Sequence, residues 1–324
     1  MGHLKRVSFI YSMAFALLFV LFSGCNGKEI KKVTDTPKKG TINISVDESF
    51  KPVIDEQIKI YESSYPDANI IVHYKPEAAC LKDLFTDTSN RMAIVTRGLS
   101  YEEENFFKDT LGYVPQWGMM AEDAIAIIVN AKSVDTLFTM DELKRMLNGT
   151  APKKNEMIFD GLNATGTIRF AIDSILRGGK FDTSVVKAVP NSQAVIDYVA
   201  ENENAIGFVG ISWIGNPEDT AQVKALQKVK IAWVQCDACK DKPFIKPSQY
   251  SIATRTYPLV RGLYYVVKEN FDGLGSGFTG FLKTERGQLI FRRAYLQPEK
   301  ISFDVRDVKI DLGPAKDKEK TKKL

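Results

Sequence analysis

The feature that most constrains the fold is a regular alternation of strand patterns and helix patterns along residues 41–295. Residues 41–46 alternate apolar and polar side chains with the period of two expected of a half-buried strand. Apolar residues then recur at helical spacing, at Phe50, Val53, Ile54, Ile58 and Tyr61. Strands that alternate with helices are typical of layered folds with largely parallel sheets, so we predict an α/β fold.

The same alternation continues to the end of the body. Further strands are predicted at residues 69–74, 92–96, 123–130, 157–160, 185–189, 205–209 and 257–268. Capping boxes predict helix starts at Ser100 with Glu103 and at Thr139 with Glu142. We expect Ser49 to cap the first helix, a helix to run from the loop after Asp160 to residue 178, and one helix to span residues 278–295.

Composition excludes several classes of protein. The chain has 324 residues, 44% hydrophobic and 26% charged, which is ordinary globular composition with room for two domain-sized units. Four cysteines are too few for a disulfide miniprotein, and a mean hydropathy of -0.17 excludes a polytopic membrane protein. The formal charge of +4 is slight, and part of it lies at the two ends, so we expect no nucleic-acid partner.

The N-terminus predicts export and lipidation. Residues 1–24 have a short positive region and an apolar core that is short for a membrane span, as in a signal peptide. The stretch LFSGC that ends at Cys25 resembles the lipobox of bacterial lipoproteins, in which the cysteine is lipidated; the alternative is an uncleaved anchor with an incidental cysteine. Residues 25–40 are predicted as a lipidated tether and residues 305–324 as a basic tail, so the protein would be held on a membrane, facing the periplasm or the cell surface.

The other cysteines and histidines predict little chemistry. Cys236 and Cys239 form a C-x-x-C, and either a local disulfide or two free thiols fits this spacing. Zinc would need further ligands that the sequence does not offer, and Cys80 is predicted to be a buried small hydrophobe. His73 is the single histidine after the predicted signal peptide, so the sequence offers no Ser-His-Asp triad. We therefore expect no enzymatic activity, no metal site and no cofactor.

Two strand–loop–helix junctions offer donors for an anion. They are SVDESF at residues 45–50 and DGLNATGTIRF at residues 160–170. Thr165 and Thr167 supply hydroxyl groups, and Gly166 lets the backbone approach a ligand closely. The free N–H groups of a helix start favour an oxyanion, although plain helix capping would use the same residues.

Five segments together resemble one family, the PstS-like phosphate-binding proteins of ABC importers. The segments are AIVTRGLSYEE at 93–103, ATGT at 164–167, AIGFVG at 205–210, TRTYPLVRGLYYVV at 254–267 and FLKTERGQLIFRRAYLQP at 281–298. They occur in the family's order. The resemblance implies a two-lobe periplasmic binding protein type II fold, with a mainly parallel sheet in each lobe and two crossing strands as the hinge. Lobe 1 would hold residues 41–125 and 256–304, and lobe 2 residues 131–250.

The resemblance also implies a function. The protein would be a monomeric substrate-binding lipoprotein that captures inorganic phosphate, or a similar oxyanion, in the interlobe cleft and delivers it to an ABC permease and ATPase complex. The ligand-binding residues implied by the matching positions are Ser49, Phe50, Thr96, Arg97, Thr165, Gly166 and Thr167. Phe50 would donate its backbone N–H.

Departures from the family leave the anion's specificity open. The arginine that usually stands four residues before the loop serine is Gly161 here. Arg97 or Arg169 could supply the charge in its place, and the alternative is that both are surface residues in solvated pairs. Asp47 and Asp160 are the nearest acceptors for a proton on phosphate. The alternative function is a surface or sensor lipoprotein that does not transport and uses the same fold for another anion or an organic ligand.

Overall fold

The computed structural model describes residues 35–161 and 165–299. Within them the strands are β1 (Gly40–Asp47), β2 (Ala68–Lys75), β3 (Asn90–Val95), β4 (Gln116–Asn130), β5 (Leu137–Phe138), β6 (Glu156–Asp160), β7 (Val186–Val189), β8 (Ala205–Gly210), β9 (Val229–Ile231), β10 (Trp233–Gln235), β11 (Phe244–Ile245), β12 (Val260–Val267) and β13 (Gln297–Pro298). The α-helices of the same residues are α1 (Lys51–Ser64), α2 (Glu77–Thr86), α3 (Tyr101–Leu111), α4 (Met140–Leu147), α5 (Gly166–Phe170), α6 (Ser192–Glu201), α7 (Thr220–Ala225), α8 (Gln249–Ala253), α9 (Leu274–Leu282) and α10 (Glu285–Arg293).

Most of these strands form one continuous mixed sheet, in the order β2-β1-β3-β12-β4-β8-β6-β7. β1 pairs in parallel with β2 and β3, and β6 pairs in parallel with β7 and β8. β12 is antiparallel to β3 and β4, and β4 is antiparallel to β8. We call β2-β1-β3-β12 the first half of the sheet and β8-β6-β7 the second half. The predicted α/β fold, with a parallel group of strands at each end, is confirmed.

β4 joins the two halves. Its residues 116–124 pair with β12 in the first half, and its residues 125–129 pair with β8 in the second half. The chain returns beside it, where the Ile125 N–H donates to Leu259 O at 2.9 Å and the Tyr257 hydroxyl donates to Ile125 O at 2.8 Å. The strand predicted at 123–130 was only the fully buried part of β4, because residues 116–119 are more exposed and lack a buried-strand pattern.

Local capping signals were mostly right. At Ser100 and Thr139 the backbone N–H donates to the carboxylate three residues later, at 2.8 Å in both cases. The predicted cap at Ser49 is wrong: α1 begins at Lys51, after a short 3-10 turn at Glu48–Phe50. The Ser49 hydroxyl instead donates to Asp47 Oδ1 at 2.8 Å, since a buried carboxylate is the stronger acceptor.

Two helix predictions were wrong in extent. The predicted helix at 278–295 is divided into α9 and α10 at Thr284, whose hydroxyl accepts from the Gly287 N–H at 3.3 Å and so caps a new helix. The helix expected to reach residue 178 consists of the short α5 and a π-helical turn at Ala171–Ile175. A π turn is often found near functional sites.

The structure shows the disulfide, which was one of the two alternatives for the C-x-x-C. Cys236 and Cys239 are bonded as a disulfide, and Cys80 is fully buried, as predicted. The lipidation prediction at Cys25, with residues 1–24, and the tail at 305–324 lie outside the described residues. Across 35–161 and 165–299, the helices are all too short or too polar to cross a membrane.

Candidate functional site

The candidate site lies where the carboxyl ends of strands from the two halves face each other. Asp47 is the last residue of β1, Thr96 follows β3 and Asp160 is the last residue of β6. All three are buried. In α/β sheets the carboxyl ends of the strands are the usual place for a ligand, because loops and helix starts converge there. The strand ends therefore concentrate polar side chains that the apolar core would otherwise exclude.

Arg261 on β12 is the central cation of the site. Its register on the antiparallel ladder places it opposite Asp123, and its Nε donates to Asp123 Oδ2 at 2.8 Å. Its two Nη groups donate to Ser49 Oγ at 3.0 Å and to Thr167 Oγ1 at 3.3 Å. The Phe50 ring lies 4.8 Å from the guanidinium carbon, a cation–π contact. The Arg261 side chain is only 2% exposed, so it is a fixed, dry positive charge that reaches both halves.

Gly166 permits a close approach between the halves. Its N–H donates to Asp47 Oδ2 at 2.9 Å. A Cβ at this position would lie 2.5 Å from that same oxygen and 2.6 Å from the Thr96 methyl carbon. Only glycine fits without displacing Asp47 or Thr96, while the predicted approach of this backbone to a ligand stays a prediction.

Asp160 collects hydroxyl groups from the second half. Thr165 Oγ1 donates to Asp160 Oδ1 at 3.1 Å, and Thr167 Oγ1 and Ser192 Oγ donate to Oδ2 at 3.3 Å each. The Thr165 hydroxyl also accepts from the Ile168 N–H at 3.2 Å, so it caps α5 at the same time. The predicted capping role of this threonine is confirmed, and its role as a donor to an anion stays a prediction.

Glu77 forms a second charged group beside the first. The Thr96 N–H and hydroxyl donate to Glu77 Oε1 at 2.8 and 2.5 Å. Arg169 Nε donates to Glu77 Oε2 at 2.7 Å, and Arg169 also contacts the Thr96 hydroxyl and the Asp173 carboxylate. Glu77 is 1% exposed and lies in the first turn of α2, a helix that the sequence patterns did not predict.

Burial governs the titration of the central carboxylates. Desolvation raises the pKa of Asp47 to about 6, against the opposing charge of Arg261, while Glu77 and Asp160 raise it further. Desolvation likewise raises the pKa of Asp160 to about 6, again against Arg261. A neighbouring carboxylate raises the pKa as well, because two ionised carboxylates in a site without water repel each other. Both aspartates can therefore take up a proton in mildly acidic solution.

The carboxylates at the edge of the site differ from each other. Burial raises the pKa of Glu48, and the hydrogen bonds from Ser192 only partly oppose it. Burial also acts to raise the pKa of Glu77, but the hydrogen bonds and charge of Arg169 outweigh it, so the pKa of Glu77 lies below its usual range. Glu77 is consequently a stable anion paired with Arg169.

Most of the predicted ligand-binding residues meet here. Ser49, Thr96, Thr165, Gly166 and Thr167 come together from the two halves, with Asp47 and Asp160 among them. The structure places Phe50 with its ring against Arg261. Their role as ligand contacts stays a prediction.

Arg97 lies apart from this group. Its guanidinium makes a two-pronged ion pair with Glu103, at 2.7 and 2.8 Å, and donates to Gly98 O. With Glu77 and Arg169 it lines a neighbouring pocket of about 260 Å³. The cation at the centre of the group is Arg261, and Arg169 lies beside the group in its pair with Glu77.

Arg261 lies in one of the segments that carry the family resemblance, but the sequence patterns predicted no role for this residue. An arginine inside the apolar run YPLVRGLYYVV was the available signal, because a charged residue in a fully buried strand needs a polar partner there. Glu48, Glu77 and Ser192 carried no such signal, since each lies in a polar stretch typical of a surface loop. In residues 35–161 and 165–299, no group of three or more His, Cys, Asp or Glu residues is placed to hold a metal ion.

The fold and the site define a binding protein with two sheet halves around a polar cleft. Residues 32–285 match the model of the PBP superfamily domain, and the chain belongs to that family. A curated relative, the phosphate-binding protein PstS of Pseudomonas aeruginosa, is 25% identical over 254 residues, covering 71% of this chain and 74% of the relative.

Solved structures share the same fold. One is a protein from Clostridium perfringens described as a phosphate ABC transporter substrate-binding protein, in a crystal structure with bound phosphate; it has a TM-score of 0.65 and 20% identity, covering 81% of this chain and 100% of that chain. Another is an ABC-type phosphate transport receptor from Vibrio cholerae, with a TM-score of 0.58 and 21% identity, covering 80% of this chain and 100% of that chain. The type II binding-protein fold expected from the sequence motifs is thus confirmed.

Proposed function

We propose that this protein captures inorganic phosphate between the two halves of its sheet and delivers it to the permease of an ABC importer. The observation that carries the proposal is Arg261, a buried guanidinium that hydrogen-bonds hydroxyl groups from both halves. A tetrahedral anion held among Ser49 and Thr167 would meet a fixed positive charge and several converging donors, which is how proteins hold oxyanions away from water. The phosphate-binding relatives support the same ligand.

The carboxylates of the site support phosphate over sulfate. Asp47 and Asp160 are hydrogen-bond acceptors, and a phosphate that keeps one or two protons can donate to them. Sulfate carries no proton at neutral pH, so its oxygens would face the carboxylates with like charge and no hydrogen bond. The raised pKa of both aspartates lowers this repulsion further for either anion in mildly acidic solution.

The halves of the sheet correspond to the lobes of this proposal. Lobe 1 would comprise residues 41–125 and 256–304, and lobe 2 residues 131–250. β4 and the returning segment at 254–259 would form the hinge, because they are the two places where the main chain crosses between the halves. Closure about such a hinge is a common way to enclose a ligand. We further propose that the protein acts as a monomer, without catalysis, held on a membrane by a lipid at Cys25.

The test is calorimetric titration with phosphate, sulfate and a phosphomonoester. We expect phosphate to bind with micromolar or tighter affinity and sulfate to bind much more weakly. The double variant Thr165→Ala/Thr167→Ala should weaken phosphate binding by roughly 100-fold, since each hydrogen bond to a charged group contributes roughly 1.5–3 kcal/mol. The matched control is Thr86→Ala/Thr110→Ala, two exposed threonines whose hydroxyls donate only to their own helices.

Two results would count against the proposal. If a folded wild-type protein binds none of the three anions, the fold serves another ligand. The surface or sensor lipoprotein then replaces phosphate transport as the proposed function. If both threonine pairs weaken binding equally, the anion lies elsewhere. Tighter binding of the phosphomonoester than of phosphate would move the proposal to an organic phosphate.

A further inference from the structure

Every side-chain hydroxyl predicted to hold the anion already has an internal carboxylate as its partner. Ser49 donates to Asp47, both Thr165 and Thr167 donate to Asp160, and Thr96 donates to Glu77. The N–H of Gly166, the backbone donor of the loop, also donates to Asp47. The site is therefore electrostatically satisfied by the protein's own acids.

Three acids of the first half, Asp47, Glu48 and Glu77, bind donors of the second half. Asp47 Oδ2 accepts from the Gly166 N–H at 2.9 Å. Glu48 accepts from the Ser192 N–H at 3.2 Å and from its hydroxyl at 2.9 Å, at the first turn of α6. Glu77 pairs with Arg169 at 2.7 Å. The acceptors lie at the end of β1 or just after β1 or β2 in the first half, and the donors all belong to elements of the second half.

We infer that Asp47, Glu48 and Glu77 form a carboxylate latch that holds the cleft closed in the absence of ligand. The inference rests on the proposed division into two moving halves but not on the identity of the ligand. Part of this group is shielded from water: Asp47 and Glu77 are each 1% exposed and Ser192 is fully buried, whereas Glu48 is half-buried and the Arg169 side chain is 36% exposed. Charged hydrogen bonds in such surroundings are stronger than those in water, so they favour the closed arrangement.

Other contacts between the two halves also stabilise the closed arrangement. Trp213, which follows β8, donates its Nε1–H to Ser49 O at 2.9 Å. Arg261 from the first half donates to Thr167 of the second. Like the contact of Arg261, the bond between Asp47 and Gly166 occupies a donor that the anion would need. An entering anion must therefore displace Asp47, while the contacts of Glu48 with Ser192 and of Glu77 with Arg169 can persist in the liganded state.

The latch predicts a ligand-free protein that is mostly closed. A ligand can shift a two-state equilibrium only by its differential affinity, so a closed ligand-free state leaves little closure for the ligand to drive. Only the open fraction admits the ligand, which lowers the apparent affinity in proportion. Weakening the latch should open the ligand-free protein and speed association.

The test measures a distance across the cleft by pulsed electron spin resonance. Spin labels go on Lys82→Cys in α2 and Gln193→Cys in α6, both exposed, in a background of Cys80→Ala and without any added anion. We expect one narrow distance distribution for the wild-type cleft. In Glu48→Ala/Glu77→Ala the distribution should broaden and lengthen by more than about 2 Å, the scale of a domain rearrangement.

A second pair tests the latch from its other side. The double variant Arg169→Ala/Ser192→Ala removes side-chain donors of the second half and should open the cleft as Glu48→Ala/Glu77→Ala does. The test can then still be made if one of these two double variants folds poorly. Glu203→Ala is the control, because Glu203 pairs with Lys132 within the second half and is exposed. A broad, long distribution in the wild type would overturn the latch, as would narrow, short distributions in both double variants.

The outcome is separable from that of the proposed function. The distances are taken without phosphate, so a closed wild-type cleft that the variants open supports the latch even where titration finds no phosphate binding. Conversely, a protein that binds phosphate but has an open cleft before binding would support the proposed function and contradict the latch.

Discussion

At the scale of single residues, the site depends on one buried cation among several acids. Arg261 is shared by Asp123, Ser49 and Thr167, so its charge is partly neutralised but still directed at the cleft. Removing one partner of a buried ion pair usually costs several kcal/mol, because the other charge is left unpaired in a dry site. Arg261 thus couples the stability of the fold to the affinity for an anion.

Asp47 offers a test of this electrostatic arrangement. Its pKa is raised from 3.8 to about 6 in the folded protein, so the folded state holds the proton more tightly than the unfolded state does. The stability that follows is fully present below about pH 4 and is lost as the pH rises through 6. Relative to Asp47→Asn, which cannot titrate, the wild type should lose on the order of 1–3 kcal/mol of unfolding free energy between pH 4 and pH 7.5.

The measurement is denaturant unfolding of both proteins at those two pH values. Asp67→Asn is the control, since Asp67 lies at the surface with its side chain 72% exposed. A difference between wild type and Asp47→Asn that is the same at pH 4 and pH 7.5 would contradict the burial of an ionisable Asp47.

At the scale of elements, the junction between β6 and α5 brings the two halves together. α5 is only five residues long and continues as a π turn, so its start is held by side-chain and backbone contacts more than by its own length. Thr165 both caps α5 and contacts Asp160, which ties the start of α5 to the end of β6. The glycine at the start of α5 then determines how closely the first half can approach.

Gly166→Ala tests this junction. The new methyl group would meet Asp47 Oδ2 and the Thr96 methyl group at distances that real Cβ atoms avoid, so the halves should be pushed apart. We expect phosphate binding to weaken by more than about tenfold, because a 1.4 kcal/mol loss already has that effect. Titration calorimetry measures it, together with the spin-label distance.

Gly280→Ala in α9 is the matched control. A Cβ there has no neighbour within 4 Å, and alanine is the better helix former by about 1 kcal/mol, so stability should rise and binding stay unchanged. If Gly166→Ala binds phosphate as well as Gly280→Ala does, the close approach of Asp47 and Gly166 is not needed for the ligand.

At the scale of the whole molecule, β4 makes one sheet out of two halves. The strand pairs with β12 along its first part and with β8 along its second, so the two halves share a continuous ladder. Buried apolar side chains from both halves also form one continuous core cluster. In the proposed function, the cleft would change width by bending at the two crossings.

Cys25→Ser tests the membrane attachment. A lipidated cysteine holds a protein on a membrane through its acyl chains, each buried CH2 contributing about 0.8 kcal/mol. We expect the wild type in the membrane fraction of its host and the variant in the soluble or secreted fraction, measured by fractionation and immunoblotting. A variant that stays in the membrane fraction would indicate an uncleaved N-terminal anchor instead.

The amino-acid sequence alone determined the fold class and the principal strand–loop–helix junctions of this protein. Apolar periodicity is set by which face of each strand or helix meets the core, so β1, β3 and β8 were predictable from their own residues. The capping boxes at Ser100 and Thr139 were predictable for the same reason, since all their partners lie within three residues. Motif order was enough to indicate the family.

Only the tertiary structure decided which charges meet. Arg261 lies 212 residues from Ser49 and 94 from Thr167, and their hydrogen bonds exist because β12 and α5 are brought together by the sheet. The pairing of Glu77 with Arg169 spans 92 residues. Nothing local distinguishes such acids from surface carboxylates, because burial and partner are properties of the assembled cleft. For that reason the central cation Arg261 and the carboxylate latch could be identified only from the structure.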